Sequence, residues 1–331
     1  MIASGHRINV KEFGELMEYA IQIEDLVKIY GRKITALDGV SLSIEKGDVV
    51  GYLGPNGAGK TTTMKVLTNL INPTSGRAYI NGVNVNRRPR EALRHIGALI
   101  EVPGVYDYLT PHEMLAYFGK VYGMSSKQTN QRIDESLELV NLSDWAREKI
   151  GSFSTGMQRR LVIAKAILHK PEILILDEPV LGLDPRGMKD IRQLIRRFHG
   201  EGMTIFLSSH LLGEVAEICK RVIFLDRGKV IASDSIENIR SGTEHRAISA
   251  KFLNPLSRED VDRIQGIELI DSIEIAGGTV RIHFDGKPDT SAQILSRLVS
   301  QGFAIASYHM ESMGLEDFYL SVMGDNEKGV R

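Results

Sequence analysis

The sequence predicts an α/β domain on a mostly parallel sheet, with an inserted helical subdomain, followed by a small α+β domain. Three observations predict it. Short apolar runs alternate with helical segments from Ile21 to Ile239. Strand signals vanish between Thr110 and Leu168, and beyond the polar stretch Ser241 to His245 the tail reads strand, helix, strand, strand, helix, strand. At 331 residues the chain exceeds one ordinary core, so one large and one small domain are expected. The expected boundaries are an N-terminal extension at 1–20, a first domain at 21–240 with its insert at about 102–170, and a C-terminal domain at 245–325.

The elements follow in order. MIASGHRINVKEFGELMEYA lacks the basic start, apolar centre and cleavage site of a secretory signal, and Met17 is an alternative start. Strands are expected at Asp48 to Leu53, His95 to Ile100, Ile173 to Leu176, Thr204 to Ser208 and Val222 to Asp226. Continuous apolar runs such as ILIL fit strands covered on both faces. The insert opens with Thr110 as N-cap, Pro111 at the first helical position and Glu113 closing a capping box. In the tail, Gly277-Gly278 signals a tight hairpin, and the element order suits a split βαβ sandwich closed by a helix near Leu315 to Met323.

Composition narrows the function. With 42% apolar and 25% charged residues the chain is a folded protein. Its 41 basic and 42 acidic residues give a charge of -1, so overall electrostatics cannot drive nucleic-acid binding. A single cysteine forbids an internal disulfide and suggests a reducing compartment. Cys219 follows Leu211, Val215 and Ile218 at helical spacing and reads as a small core residue rather than a reactive thiol. No run approaches the roughly 18 apolar residues of a membrane-spanning helix.

Residues 54 to 61 read GPNGAGKT, between the strand-like VVGYL and the helix-like TTTMKVLTNL. That is a phosphate loop in its proper context: Gly54, Pro55, Asn56, Gly57, Ala58 and Gly59, then Lys60, Thr61 and Thr62. The glycines let successive N–H groups face phosphate oxygens, and the helix beginning near Gly59 adds its positive end. Lys60 can reach the β- and γ-phosphates, and the Thr61 hydroxyl can take a position on Mg²⁺. The strand ILIL ends in Asp177 and Glu178. Asp177 is placed to support the metal, and Glu178 to accept a proton from the water attacking the γ-phosphate. The alternative is an Asp-Glu-Pro turn with solvated carboxylates.

Before that strand, FSTGMQ at 153 to 158 introduces the helix RRLVIAKAIL. Ser154 is a natural N-cap, and Gly156, beside Thr155, allows close backbone approach to an anion. In order and position these motifs resemble the ATP-binding cassette (ABC) proteins, whose signature is usually written LSGGQ. The resemblance covers nearly all of residues 22 to 240.

It implies further roles. Tyr30, in KIYG, resembles the aromatic that stacks on adenine. LGLD at 181 to 184 resembles the loop that crosses to a partner subunit, although Asp184 before Pro185 also makes a good helix start. His210, in SSHLL, resembles the histidine that senses the γ-phosphate; the other histidines lack metal-ligand spacing. Glu101 stands where the family has a glutamine that contacts Mg²⁺ and the attacking water, which adds a hard oxygen ligand there. Thr155 and Met157 also depart from the signature. These changes and the tail resemble the ABC-2 type branch, including exporters of peptide antibiotics and lantibiotics.

The resemblance implies an ATPase using ATP and Mg²⁺, with each site completed by Ser154 and Gly156 of a second chain. The partners would be an identical subunit, or a similar one in a pseudo-symmetric heterodimer, and a separate transmembrane permease, with no nucleic acid. The place of work would be the cytoplasmic face of the cell membrane, peripherally. Two other functions fit the motifs: a soluble ABC ATPase acting on nucleic acid or ribosomes, and a regulatory sensor that binds nucleotide without turnover.

Overall fold

A computed structural model describes residues 19–31, 33–101, 105–241, 247–276, 278–311, 315–316 and 318–319. The chain divides into two compact units, Met1–Ser233 and Asp234–Arg331.

In the first unit, β1 (Tyr19–Tyr30) pairs antiparallel with β2 (Ile34–Glu45). After β3 (Val49–Leu53) and α1 (Lys60–Leu67), the strands β4 (Ser75–Ile80) and β5 (Val83–Asn84) complete a four-stranded sheet of order β2-β1-β4-β5. This separate antiparallel sheet was not expected, and β1 takes in Tyr19 and Ala20 from the predicted extension. The chain continues through α2 (Pro89–Ala92) and β6 (Ile96–Leu99) into the insert, α3 (Pro111–Val121), α4 (Ser126–Leu139) and α5 (Thr155–Ile167). It returns through β7 (Ile173–Leu176), α6 (Pro185–Gly200), β8 (Thr204–Ser209), α7 (Leu212–Ile218), β9 (Arg221–Asp226) and β10 (Lys229–Ser235).

These strands form a six-stranded sheet of order β10-β9-β3-β8-β7-β6, parallel from β9 to β6. Every residue of β3, β7 and β8 is buried, as the continuous apolar runs require. Because the strands are parallel, the segments leaving β3, β7 and β8 emerge at one edge, and the site is assembled there. Tyr52 ties that edge to α1. Its fully buried ring packs on Phe206 at 5.2 Å between centroids, and its hydroxyl lies 3.2 Å from Thr63 Oγ1.

The insert starts as expected: Thr110 Oγ1 accepts the Glu113 N–H, and the Glu113 carboxylate accepts the Thr110 N–H. Arg132 fastens α4 to the end of α5, donating to the carbonyls of Ile167 at 2.8 Å and Leu168 at 2.9 Å. Cys219 is buried and desolvation pushes its thiol up, which fits the small core residue read from the sequence. No helix among the described residues is long and apolar enough to cross a membrane.

The second unit holds α8 (Ile236–Ser241), β11 (Ala247–Phe252), α9 (Arg258–Gln265), β12 (Ser272–Ala276), β13 (Thr279–His283), α10 (Pro288–Ser300) and β14 (Ile305–Glu311). From β11 onward this is the strand and helix order read from the sequence, and the antiparallel sheet order β12-β13-β11-β14 is that of a split βαβ sandwich. Its core joins Ile248, Ala250 and Phe252 to Val280, Ile282, Ile294 and Leu298. Gly278 turns the β12–β13 hairpin at φ +83°, while Gly277 lies outside the described residues. Leu315, Glu316, Phe318 and Tyr319 are helical; the rest of the predicted closing helix lies outside the described residues.

Candidate active site

The loop from Gly54 to Gly59 joins β3 to α1 at the carboxyl edge of the parallel sheet. Two of its glycines are forced by geometry. A Cβ on Gly54 would come within 2.1 Å of the Leu225 carbonyl oxygen. At Gly59, φ is +111° and a Cβ would meet the Ala36 carbonyl oxygen at 2.6 Å. Pro55, Asn56 and Gly57 are exposed, Ala58 is buried and anchored by the Gly228 N–H on its carbonyl, and Thr61 and Thr62 are half-buried in the first turn of α1.

Lys60 is buried, and its Nζ donates to the carbonyls of Gly54 at 2.6 Å and Pro55 at 3.2 Å. Nζ also lies 3.7 Å from Glu178 Oε1. Burial pulls the lysine's pKa down, while the negative charges of Glu178 and Asp177 oppose that shift. Glu178 continues the chain of contacts: its Oε2 lies 3.0 Å from His210 Nδ1. Asp177 is buried, and its Oδ1 accepts the Ser208 hydroxyl at 2.6 Å. Lys60, Asp177, Glu178 and His210, drawn from three adjacent strand ends, therefore converge. Glu178 has φ +47°, a strained backbone for a non-glycine residue at the centre of this cluster.

The remaining predicted residues sit on other elements, each with its own local partners. Tyr30 ends β1 as an exposed residue, with Lys28 Nζ 5.1 Å from its ring centroid. Ser154 caps α5 by accepting the Met157 N–H, and Thr155 and Gly156 form its first turn. A Cβ on Gly156 would meet nothing within 4 Å, so packing inside the chain does not explain this glycine. Asp184 caps α6 by accepting the Gly187 N–H at 2.9 Å, which is the helix-start role weighed for it. Glu101 directs its carboxylate to Lys65 at 2.5 Å.

Sequence reasoning passed over two residues. Ser208 accepts the Glu178 N–H at 2.9 Å as well as holding Asp177, and its only signal was a serine two positions before His210. Arg159, in α5, is 8% exposed and donates to the Leu181 carbonyl at 3.2 Å, which ties the FSTGMQ helix to the LGLD loop. Asp177 offsets the cost of burying that guanidinium.

Backbone donors round a glycine loop, a buried lysine at a helix N-terminus and two carboxylates on the next-but-one strand define a phosphate-loop nucleoside triphosphatase. Residues 37–181 match the family model described as ABC transporter. The bacitracin transport ATP-binding protein of Bacillus licheniformis is 35% identical over 95% of this chain and 100% of its own length. The linearmycin resistance ATP-binding protein of Bacillus subtilis (strain 168) is 30% identical over 92% of this chain and 98% of its own. Among solved structures, a dimeric ATP-binding cassette in a post-hydrolysis state with ADP and Pi has a TM-score of 0.60 at 27% identity, covering 65% of this chain and 98% of that one. The chain belongs to the ABC transporter family, as an ATP-binding, ATP-hydrolysing subunit.

Proposed function

We propose that this chain is the motor of an exporter, closing as a dimer over ATP and passing that motion to a separate transmembrane permease. The contiguous Lys60, Glu178 and His210 contacts beside the phosphate loop carry the reading. Glu178 accepts a proton from the water that attacks the γ-phosphate, His210 orients Glu178, and Lys60 stabilises charge on the β- and γ-phosphates. Tyr30 stacks on the adenine. Ser154, Thr155 and Gly156 of one chain complete the site of the other, and Asp184 lies in the crossing loop.

The residues present fit Mg²⁺. The Thr61 hydroxyl and the Asp177 carboxylate are hard oxygen donors, and Ser208 fixes one Asp177 oxygen. Mg²⁺ held by these two donors would take its remaining ligands from phosphate and water. Bound there, Mg²⁺ neutralises phosphate charge.

Support for export comes from relatives whose names specify bacitracin transport and linearmycin resistance, and support for the dimer from the cassette solved as one. A peripheral position on the cytoplasmic face of the membrane follows from that role, with the permease seated between the Glu101 loop and the inserted helices. Light scattering of the Glu178→Gln variant, alone and with a co-purified multi-span protein, tests this. A dimer that forms only with ATP is expected, and a monomer at saturating ATP in both preparations overturns the proposal.

A further inference from the structure

Glu101 leaves β6 with φ +59° and a side chain 61% exposed, and its Oε1 lies 2.5 Å from Lys65 Nζ. Lys65 follows Thr61 by four residues on α1, so the two side chains rise from one helix face a turn apart. We infer that Lys65 is a positioning residue for Glu101: it holds the carboxylate at the face of α1 that carries Thr61 one turn earlier, giving Glu101 two alternative cations, Lys65 and the metal bound at Thr61. This inference rests on the metal reading proposed above.

Charge explains why such a device is needed. The same edge of the sheet already carries Asp177 and Glu178, with Lys60 as the cation nearest Glu178. Glu101, which follows the neighbouring strand β6, brings a third carboxylate to that edge, and Lys65 is the cation it pairs with. Among the described residues Lys65 pairs with no other carboxylate, and Glu101 with no other cation. The pair is also weak enough to exchange. Exposed ion pairs contribute little, whereas a carboxylate is a preferred ligand of a hard divalent ion, so the contact holds Glu101 without locking it. A glutamine at 101 would have no need of Lys65, which ties the lysine's role to the carboxylate.

The test uses Mn²⁺ as the probe, its binding followed by electron paramagnetic resonance with a non-hydrolysable ATP analogue. The full chain is compared with Lys65→Met, Lys65→Arg, Glu101→Gln and the Lys65→Met/Glu101→Gln double variant. Lys65→Met is expected to tighten Mn²⁺ binding about two- to fivefold, the ratio an exposed ion pair is worth, and Lys65→Arg to leave it unchanged. In the Glu101→Gln background Lys65→Met should do nothing. An equal effect in both backgrounds, as from a general change of charge, overturns the proposal, and so does no effect in either. Thr61→Ala separates the two levels of the argument. If it abolishes Mn²⁺ binding while Lys65→Met is silent, only the Lys65 role falls; if it leaves binding intact, the metal reading falls and the Lys65 role with it.

Discussion

The Ser208 hydroxyl donates to Asp177 Oδ1 at 2.6 Å, and Ser208 Oγ in turn accepts the N–H of Glu178 at 2.9 Å. One side chain of β8 thus fixes both acidic residues as they leave β7, orienting the first and holding the strained backbone of the second. Ser208→Ala is expected to slow ATP turnover about 10- to 100-fold, the range for losing the partner that orients a metal ligand, if Asp177 holds the proposed Mg²⁺. Steady-state phosphate release checks this, and unchanged turnover would place the control of Asp177 elsewhere.

Glu178→Gln keeps the shape of the side chain and removes its basicity. Hydrolysis should fall by about 10² to 10⁴, while ATP affinity is retained. Single-turnover phosphate release and nucleotide titration measure the two parts separately, and wild-type turnover would remove Glu178 from the chemistry.

Lys60→Met should act on binding. The ammonium is already desolvated and aimed into the loop by two carbonyls. Losing its charged contacts to phosphate should weaken ATP about 10- to 100-fold. Titration with a fluorescent ATP analogue reads this directly, and undiminished affinity would contradict the phosphate-loop assignment.

His169 makes stability depend on pH. Its ring stacks on Tyr122 at 4.0 Å, and Nε2 lies 3.1 Å from the Ile96 carbonyl. Burial lowers its pKa from the ordinary 6.5. With the folded value below the unfolded one, the unfolded chain binds more protons in the window between them, so stability falls as pH drops below 6.5 and is fully penalised below the folded value. His169→Gln should flatten that part of a denaturation-against-pH curve; an unchanged slope would assign the acid sensitivity to other groups.

Tyr52→Phe removes one buried hydroxyl and leaves the ring. Thr63 keeps its bond to the Gly59 carbonyl at 3.1 Å, so the cost should be about 1 kcal/mol. Urea denaturation checks it, and a loss several times larger would mean that the Tyr52 hydroxyl organises the loop as well as the core.

The parallel strands were legible because burial on both faces turns them into unbroken apolar runs such as ILIL, found within a residue of their predicted ends. The antiparallel sheet was not. Its β1 strand is interrupted by Glu24, Asp25 and Lys28, with Asp25 at φ +45° and register breaks on either side, so alternation never runs long enough to read. The same contrast divides the site. Lys60 and Glu178 sit in short motifs whose chemistry is local. Ser208 acts across two strands and Lys65 reaches Glu101 over 36 positions, so neither partner can be read from a linear pattern.

Gly156 carries a consequence of its own. Glycine is a poorer helix former than alanine, and at this position in the first turn of α5 a Cβ would meet nothing within 4 Å beyond its own turn of helix. Folding alone would favour the exchange. If Gly156 serves the proposed second chain, a mutational survey scoring both cellular abundance and ATP turnover should split at this codon, with Gly156→Ala accumulating like the parent and losing turnover.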